Sequence, residues 1–410
     1  MVADARRAAA SGALTLRLLV VSNGHGEDAI GARLARELLE RGGAASIAAL
    51  PLVGEGTPYE AVGAEVLGPR RRLPSDGLTL HHPLLAWHDL RAGLVGTTLA
   101  HATALRRARP DAVMVVGDVF AQGMASLVPA RRVVVQPLVS VRLADGGASV
   151  ALNRTFMERI RAPERALMRR AAERVYARDD VTAAWLRSRG VAHAVFLGNP
   201  MMDGLDGSRL PVPAHARVVA LLPGSRSYAH ASVRRMLDGV ARLGPLHALV
   251  AWANGPVPAA HGWSVAPGDG DGVLEVWSRG GAIVWWVRGR FADVLATADA
   301  VIGTSGTAQE QAAGRGLPVV SFPVVPAYSE AFLANQRRLL GDALRVVPND
   351  VEAIAAATAE ALTDGHHRAV ARREGPARMG PAGGTARIAA DVAATFAAPV
   401  LNPRRSHGAT

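Results

Sequence analysis

The 410-residue sequence contains no cysteine and no lysine, so its 46 Lys-plus-Arg positions are all arginine. Without cysteine the chain has no disulfide, no thiolate nucleophile and no cysteine-based zinc site. Without lysine it has no phosphate-binding loop of the lysine-dependent type. Aromatic residues make up only 4% of the chain. Apolar runs are of strand length, far short of the ~20 residues that a membrane-spanning helix needs.

The N-terminal residues do not read as a secretory signal, because Arg17 interrupts the apolar run and no small-residue cleavage site follows it. The sequence therefore predicts a cytoplasmic protein. The net charge of +11 does not make nucleic acid an expected partner, because no reading motif accompanies the arginines. A hydrophobic content of 49% is enough for the cores of two domains and excludes a wholly disordered chain.

Short β-branched runs alternate with longer helical stretches, which indicates an α/β fold built from parallel βαβ units. The first unit has a strand at 18–21, a polar turn at 22–28 and a helix with Ile30, Leu34 and Leu38 on one face. Further strands are predicted at 47–52, 112–116, 133–136, 174–177, 194–197, 218–222, 246–252, 282–287, 300–303 and 318–321. Further helices are predicted at 231–243, 291–298, 307–314, 330–340 and 351–363.

A stretch rich in glycine and proline interrupts this alternation and predicts a domain boundary. We expect an N-terminal Rossmann-like domain over 17–205, a second one over 206–385, and a helix over 386–400 that crosses back onto the first. Residues 1–16 and 401–410 are expected to be flexible or disordered. Ligands of such sheets bind at the carboxyl ends of the strands, beside helix N-termini.

The motif at 22–28 follows the first strand and holds three ionisable residues, His25, Glu27 and Asp28. These residue types serve as general bases, with pKa values that a helix N-terminus and one another can tune. Helix capping explains one of the carboxylates, but a cationic His25 is unfavourable at that helix end. We favour a catalytic role. The remaining candidates for the acceptor side of the cleft are Asn23, Gly24, Gly26, Asp118 and Asn199.

Two of these acceptor-side candidates are glycines, Gly24 and Gly26, which permit a tight turn and close approach of the backbone to a ligand. Asp118 follows a buried strand, and it either faces the cleft or caps the next helix.

A strand-to-helix loop in the second domain contains Gly224, Ser225 and Arg226. A backbone N–H, a hydroxyl and a guanidinium group together suit a diphosphate. An ordinary turn with a surface arginine explains this loop equally well when it is taken alone.

A second loop of this kind offers Ser305, Gly306 and Thr307 at a helix start, where N–H groups and hydroxyls can bind phosphate. The residues that follow, Gln309, Glu310 and Gln311, include the candidates for accepting hydrogen bonds from ribose hydroxyls. The alternative is an N-cap Thr307 with Glu310 in a capping box. Two phosphate-type loops in one domain favour a nucleotide site.

Two other patterns have simpler explanations. The Asp269-Gly270-Asp271 sequence is similar to the metal-binding carboxylate pair of some sugar transferases, but it lies in a glycine- and proline-rich loop, where a turn is expected. An apolar stripe at Trp87, Leu90 and Leu94 and an arginine-rich segment at 154–174 suit anionic lipid. Core-facing stripes on solvated helices explain both.

In combination, the motifs resemble the lipid-A-disaccharide synthase-related proteins, which are relatives of lipid-A-disaccharide synthase and, more distantly, of the MurG N-acetylglucosaminyltransferase. The resemblance runs from about residue 18 to residue 388. It is carried by the segments 22–28, 198–200 with Asp203, 222–226, 306–311, 335–341, 378–380 and 383–384.

The resemblance implies a GT-B fold, with two Rossmann-like domains facing each other across a cleft and no cofactor or metal ion. The first domain would hold the acceptor and the second the nucleotide sugar. A base would deprotonate the acceptor hydroxyl for direct displacement at the anomeric carbon. Asp28 stands where the synthase has its aspartate and MurG its histidine, so it is the first base candidate and His25 the second. The usual ribose-binding glutamate is replaced by Gln311, with Glu310 displaced by one position.

We therefore predict a glycosyltransferase of cell-envelope glycolipid biosynthesis. It would use a nucleotide sugar, with UDP favoured, and a lipid or lipid-linked acceptor, in peripheral contact with the inner face of the cytoplasmic membrane. One alternative is a UDP-N-acetylhexosamine epimerase-like enzyme, which releases and re-adds UDP within one site. Another is a non-catalytic relative that binds a nucleotide sugar or a lipid.

Overall fold

The computed structural model describes residues 16–70, 93–144, 160–226, 228–253, 255–325 and 328–398. The chain divides into unit 1, Met1–Pro200 with Gly383–Thr410, and unit 2, Met201–Ala382. The division thus falls after residue 200 and the chain returns at residue 383, where the sequence predicted 205 and 386. The predicted flexible ends, apart from residue 16, lie outside the described residues, as does the apolar stripe at 87–90.

Unit 1 contains a seven-stranded sheet in the order β3-β2-β1-β4-β5-β6-β7, in which all neighbouring strands are parallel. Strands β1 to β7 are Arg17–Ser22, Ser46–Pro51, Glu65–Val66, Ala112–Val116, Arg131–Gln136, Arg174–Ala177 and Ala194–Val195. Helices α1 to α6 are His25–Glu40, Thr57–Glu60, Leu94–Ala108, Val119–Ala125, Ala162–Ala171 and Asp180–Ser188. Helices cover both faces of a parallel sheet, and β4 is accordingly buried along its whole length.

Unit 2 contains an eight-stranded sheet in the order β10-β11-β12-β9-β8-β13-β14-β15. Strands β8 to β15 are Val218–Leu222, Leu246–Ala251, Ser264–Pro267, Val273–Arg279, Ala282–Val287, Ala300–Gly303, Val319–Ser321 and Leu344–Val346. Helices α7 to α12 are Ala229–Val240, Phe291–Thr297, Gly306–Gly314, Glu330–Leu340, Val351–Thr363 and Gly365–Met379. Short 3-10 turns are Val141–Ala144 in unit 1, Pro200–Met202 at the division and Gly341–Ala343 in unit 2.

Two strands at one edge of unit 2, β10 and β11, were not predicted from the sequence. Strands β10 and β11 form an antiparallel extension on β12. All four residues of β10 are exposed, so the strand lacks the buried β-branched run on which the strand predictions were based. The Asp269-Gly270-Asp271 sequence joins β10 to β11, with the Asp271 N–H donating to Asp269 Oδ1 at 3.0 Å. It forms the turn that the sequence favoured.

The last helix, α13 (Gly384–Ala397), belongs to unit 1 and packs against α1. The Tyr176 hydroxyl donates to Asp391 on this helix at 2.8 Å. The Arg131 guanidinium donates to the carbonyl oxygens of Thr395, Phe396 and Ala398 at 2.7–2.9 Å. Both donors come from strands of the unit 1 sheet, so α13 is hydrogen-bonded directly to that sheet.

The described part of the arginine-rich segment does not form an exposed apolar patch. Ile160 is a core residue with 4% of its surface exposed, and Arg165 lies over the Trp185 ring, 5.2 Å from its centroid. Residues 154–159 of this segment lie outside the described residues. Among the helices that the structure describes, none is long and apolar enough to cross a membrane.

Candidate active site

Each sheet has a point, its reversal point, at which the connections of two neighbouring parallel strands lead away in opposite directions. In unit 1 the strands added after β1 run one way to β3, and β4 then starts the other half beside β1. Ser22 at the end of β1 is in register with Pro51 of β2 and Val116 of β4. The loops after these strands therefore begin at one level, which is where ligands of open α/β sheets bind. We call this place the β1–β4 site.

The motif at 22–28 lies at the β1–β4 site, but it is mostly helical, where the sequence predicted a turn. Helix α1 begins at His25, and Gly24 is its N-cap in an extended conformation, with φ −174°. Gly26 is the second residue of the helix, and a Cβ there would meet no described atom within 4 Å. The predicted tight turn at the two glycines is therefore wrong. The helix forms here because two carboxylates in its first turn complement its dipole.

Asp28 is buried, with 1% of its surface exposed. Its Oδ1 accepts a hydrogen bond from Ser22 Oγ at 2.6 Å, and Ser22 Oγ accepts one from the Tyr59 hydroxyl at 2.8 Å. Burial raises the pKa of Asp28 to about 6, while the Ser22 hydrogen bond and the charge of His25 oppose the rise. At neutral pH this carboxyl is therefore mostly ionised and close to its pKa, which suits a general base.

The other oxygen of Asp28 lies beside the loop after β2. A Cβ placed on Gly54 would lie 3.2 Å from Asp28 Oδ2 and 3.3 Å from His25 Nδ1. Gly54 has φ +117°, a conformation that glycine adopts without strain. His25 is exposed. Thus the structure brings together the first two base candidates, with Gly54 against both.

Glu27 is half-buried, and its carboxyl folds back over Gly24, where a Cβ would overlap Oε2. Burial raises its pKa to about 7. The backbone N–H of Glu27 itself opposes the rise, and the charges of Asp118 and Asp28 add to it. The carboxyl of Glu27 thus lies over the N-cap of α1, and its catalytic role remains a prediction.

Asp118 joins the two strands of the β1–β4 site. Its Oδ1 accepts hydrogen bonds from Asn23 Nδ2 at 2.6 Å and from the backbone N–H of Phe120 at 2.9 Å. Asp118 is therefore the N-cap of α4, and it also fixes the side chain of Asn23 in the motif at 22–28. Burial raises its pKa. Gly117, with φ +149°, is required here because a Cβ would overlap Asn23 Oδ1.

Glu164 was not predicted from the sequence. It is 3% exposed and accepts hydrogen bonds from Gln136 Nε2 at 2.9 Å and Gln122 Nε2 at 3.1 Å. Burial raises its pKa to about 7, and the charge of Asp118 contributes to the rise. Glu164 is remote in sequence from the motifs, so no local pattern identifies it. Asn199, the remaining predicted residue, is buried with its backbone against Gly384 at the start of α13.

Unit 2 has its own reversal point, between β8 and β13, where Leu222 is in register with Gly303. The two predicted phosphate loops leave these two strands side by side. Gly224, with φ +84°, packs on Ser305, and a Cβ there would lie 3.2 Å from Ser305 Cβ. We call this place the β8–β13 site. Ser225, Arg226 and Thr307 are exposed at it.

Two helices begin at the β8–β13 site, α7 after the first loop and α9 after the second. Ser305 is the N-cap of α9, and its side chain makes no capping hydrogen bond. The alternative of an N-cap Thr307 is therefore wrong, because Thr307 lies inside the helix. The ring of Phe332 covers the first residue of α9, with its Cζ 3.3 Å from where a Cβ of Gly306 would lie.

The three polar residues farther along α9 all have protein partners. Gln309 is fully buried, and its Nε2 donates to Gln336 Oε1 at 3.2 Å. Gln336 Nε2 in turn donates to Glu310 Oε1 at 3.0 Å. Gln311 turns away and donates to the carbonyl oxygen of Met201 at 2.7 Å. Both predicted ribose acceptors are thus engaged with protein groups, Glu310 with the amide of Gln336 and Gln311 with the carbonyl oxygen of Met201.

Within the described ranges, no group of three or more histidine, aspartate or glutamate side chains is arranged to hold a metal ion. Metal independence remains a prediction.

No protein-family model matches the chain, and no curated protein matches its sequence. Solved structures do match it. The calicheamicin glycosyltransferase CalG4 superposes with a TM-score of 0.62 and 17% identity, over 93% of this chain and 98% of that one. MurG from Acinetobacter baumannii gives a TM-score of 0.55 and 12% identity, over 92% and 99% of the two chains. UDP-GlcNAc 2-epimerase from Neisseria meningitidis, bound to UDP-GlcNAc, gives 0.52 and 13%, over 92% and 99%.

These matches cover both units, and they show that the chain has the fold of GT-B glycosyltransferases and of related epimerases. The predicted fold class is thereby confirmed.

Proposed function

We propose that this protein is a glycosyltransferase that binds a nucleotide sugar, with UDP as the favoured nucleotide, at the β8–β13 site. The observation that carries the proposal is the meeting of two glycine-containing loops at the reversal point of the unit 2 sheet. Each loop leads into a helix N-terminus, and Arg226 adds a fixed positive charge. Backbone N–H groups, helix dipoles and a guanidinium group together suit a diphosphate.

We assign the ribose to Glu310. A carboxylate has no donor of its own and accepts hydrogen bonds from hydroxyls, whereas the side chain of Gln311 is directed to the Met201 carbonyl oxygen by its amide N–H. Gln336 donates to Glu310, and Gln309 in turn donates to Gln336. UDP as the nucleotide has its support in the N. meningitidis epimerase of the same fold, which was solved with UDP-GlcNAc.

We assign the acceptor to unit 1, with Asp28 as the base that deprotonates its hydroxyl. Departure of the nucleoside diphosphate would be eased at the β8–β13 site, because the loop N–H groups and Arg226 stabilise the charge that develops there. The acceptor would be a lipid or a lipid-linked sugar. Its support is an exposed apolar strip on α3, where Val95 is 56% exposed and Leu99, one turn on, is 63% exposed. Cytoplasmic location and contact with anionic membrane belong to this proposal.

An epimerase-like activity on UDP-N-acetylhexosamine is the second candidate, because an epimerase shares the fold. An epimerase needs no acceptor, so conversion of the nucleotide sugar in the absence of any acceptor would favour it. A non-catalytic binding protein would bind UDP without any turnover.

The experiment that tests the proposal is a thermal-shift and calorimetric titration of the purified chain with UDP, GDP, ADP and TDP, without added metal. A ligand that binds the folded state raises the melting temperature in proportion to ln(1 + [L]/Kd). We expect UDP to stabilise the protein most. The variant Arg226→Ala should weaken UDP binding about 10- to 100-fold, because it removes one charge-assisted contact.

The matched control is Arg234→Ala, which removes an exposed arginine from α7 and should leave UDP affinity unchanged. Equal affinity in Arg226→Ala and wild type would remove the first loop from the site. Absence of stabilisation by every nucleotide would reject the proposed donor site.

A further inference from the structure

The two oxygens of the Asp28 carboxyl have different surroundings. Oδ1 accepts from Ser22 Oγ at 2.6 Å, and Ser22 Oγ accepts from the Tyr59 hydroxyl at 2.8 Å. Oδ2 lies toward Gly54 and His25. Ser22 and Tyr59 are fully buried. Three side chains from β1, α1 and α2 thus form one hydrogen-bonded chain that ends on a single oxygen of the carboxyl.

The direction of this chain follows from the number of protons in it. A serine hydroxyl has one proton, so when Ser22 accepts from Tyr59 its own proton is committed to Asp28. Burial raises the pKa of Tyr59 well above its usual range, and the charge of Asp28 adds to the rise. Tyr59 therefore stays protonated and keeps donating. Asp28 Oδ1 is consequently always an acceptor, which favours the ionised carboxylate against the effect of burial.

Gly31 makes the hydrogen bond between Tyr59 and Ser22 possible. Tyr59 approaches the middle of α1 at Gly31, where a Cβ would overlap the tyrosine hydroxyl. Gly56, the N-cap of α2, has φ +78° and turns the chain so that Tyr59 enters the core. A glycine inside a helix costs about 1 kcal/mol relative to alanine. At Gly31 the missing side chain is what admits the hydroxyl that ends the chain.

We propose that Ser22 and Tyr59 are positioning residues that hold Oδ1 of Asp28 and leave Oδ2 as the oxygen that takes the proton. The proposal rests on the proposed role of Asp28 as the base. Tyr59 has no exposed surface, so the chain ends inside the protein and orients the carboxylate without carrying its proton away. The titratable groups that face Asp28 are His25 and Glu27 from α1 and Tyr59 from α2.

The test is a ¹³C NMR titration of the Asp28 carboxyl, identified as the signal lost in Asp28→Asn. Loss of a donor to the ionised form raises the pKa of the carboxyl. We expect Ser22→Ala to raise it by about 1 unit, and Tyr59→Phe to raise it by about half as much. The matched control is Tyr176→Phe, which removes the hydroxyl of another buried tyrosine in unit 1 from its bond to Asp391. It should leave the pKa of Asp28 unchanged.

An unchanged Asp28 pKa in both Ser22→Ala and Tyr59→Phe would overturn the proposal. If Ser22→Ala does not fold, Tyr59→Phe decides alone, since it keeps the ring that fills the core. When an acceptor is known, the acidic limb of kcat/KM against pH should move upward in the same order. If these pKa shifts are observed but no donor is turned over, the positioning role of Ser22 and Tyr59 is supported and the proposed glycosyltransferase function is rejected.

Discussion

At the scale of single residues, Asp28 is buried and accepts a hydrogen bond from Ser22. These two features set the pH at which it can act as a base. Its pKa is raised to about 6, chiefly by burial. A base works in its ionised form, so the fraction of active protein rises with pH through this value and then levels off. The acidic limb of the rate profile should therefore report Asp28 directly.

We expect Asp28→Ala and Asp28→Asn to lower the transfer rate about 10²–10⁴-fold, because each removes the proton acceptor. Affinity for UDP should be unchanged in a calorimetric titration. The assay is sugar transfer from UDP-sugars to lipid-linked and water-soluble acceptors, offered in parallel. Asparagine is the stricter variant, since it keeps the shape of the side chain. An undiminished rate in Asp28→Asn would transfer the role of base to His25.

The sequence identifies the ionisable residues of the first motif because they are neighbours in the chain. It cannot identify Tyr59, which lies in the four-residue helix α2 and reaches Ser22 only because Gly31 leaves room. Nor does it identify Glu164, which meets Gln122 and Gln136 through packing of distant elements. Motifs report what is local, and these contacts depend on the order of strands in the sheet.

At the scale of elements, the strands with buried β-branched runs were predicted well. Strands β4, β6, β8, β12 and β13 have the predicted bounds. Central parallel strands are covered on both faces, so their sequences are continuously apolar and easy to recognise. The strands that were not predicted, β3, β10, β11 and β15, lack a continuous buried run. β3 has two residues and β15 three, β10 is wholly exposed, and in β11 only Val273 and Trp277 are buried. Which two loops share a reversal point becomes known only from the strand order.

Helix α13 provides a test at this scale. Arg131 binds three carbonyl oxygens at its C-terminal end and forms an ion pair with Glu173 at 2.7 Å. We expect Arg131→Ala to destabilise unit 1 by about 2–3 kcal/mol, because charged donors to otherwise unpaired carbonyls are among the stronger hydrogen bonds. Hydrogen exchange of the α13 amides is the measurement.

The control for Arg131→Ala is Arg17→Ala, which removes an ion pair with Asp111 whose side chains are 62% and 42% exposed. Exposed pairs of this kind contribute little to stability. Equal protection of the α13 amides in Arg131→Ala and Arg17→Ala would show that the hydrogen bonds of Arg131 do not stabilise the helix.

At the scale of the whole molecule, buried carboxyls make stability depend on pH. Burial raises the pKa values of Glu27 and Glu164 to about 7 and that of Asp28 to about 6. Between the ordinary and the raised values the folded chain holds more protons than the unfolded one, so stability falls as pH rises. For Glu164 this window extends from its ordinary value of 4.5 to about 7.

The variant Glu164→Gln tests this dependence, since its oxygen can still accept from Gln122 and Gln136. We expect its melting temperature to exceed that of wild type by about 2–4 °C at about pH 8, and to match it at about pH 5, where Glu164 is protonated. Differential scanning calorimetry at the two pH values is the measurement. A difference of the same size at both would assign the effect to packing instead of to the charge.

The return of the chain to unit 1 has a consequence for synthesis. The ribosome makes residues 1–200 first, yet α13 is translated only after all of unit 2. Arg131 and Tyr176 of unit 1 can form their hydrogen bonds to α13 only then. Unit 2 is continuous and can complete its sheet as it leaves the exit tunnel. The nascent unit 1 must wait with the face of α1 that α13 will cover still open. The half of the protein that is made first is therefore the half that is finished last.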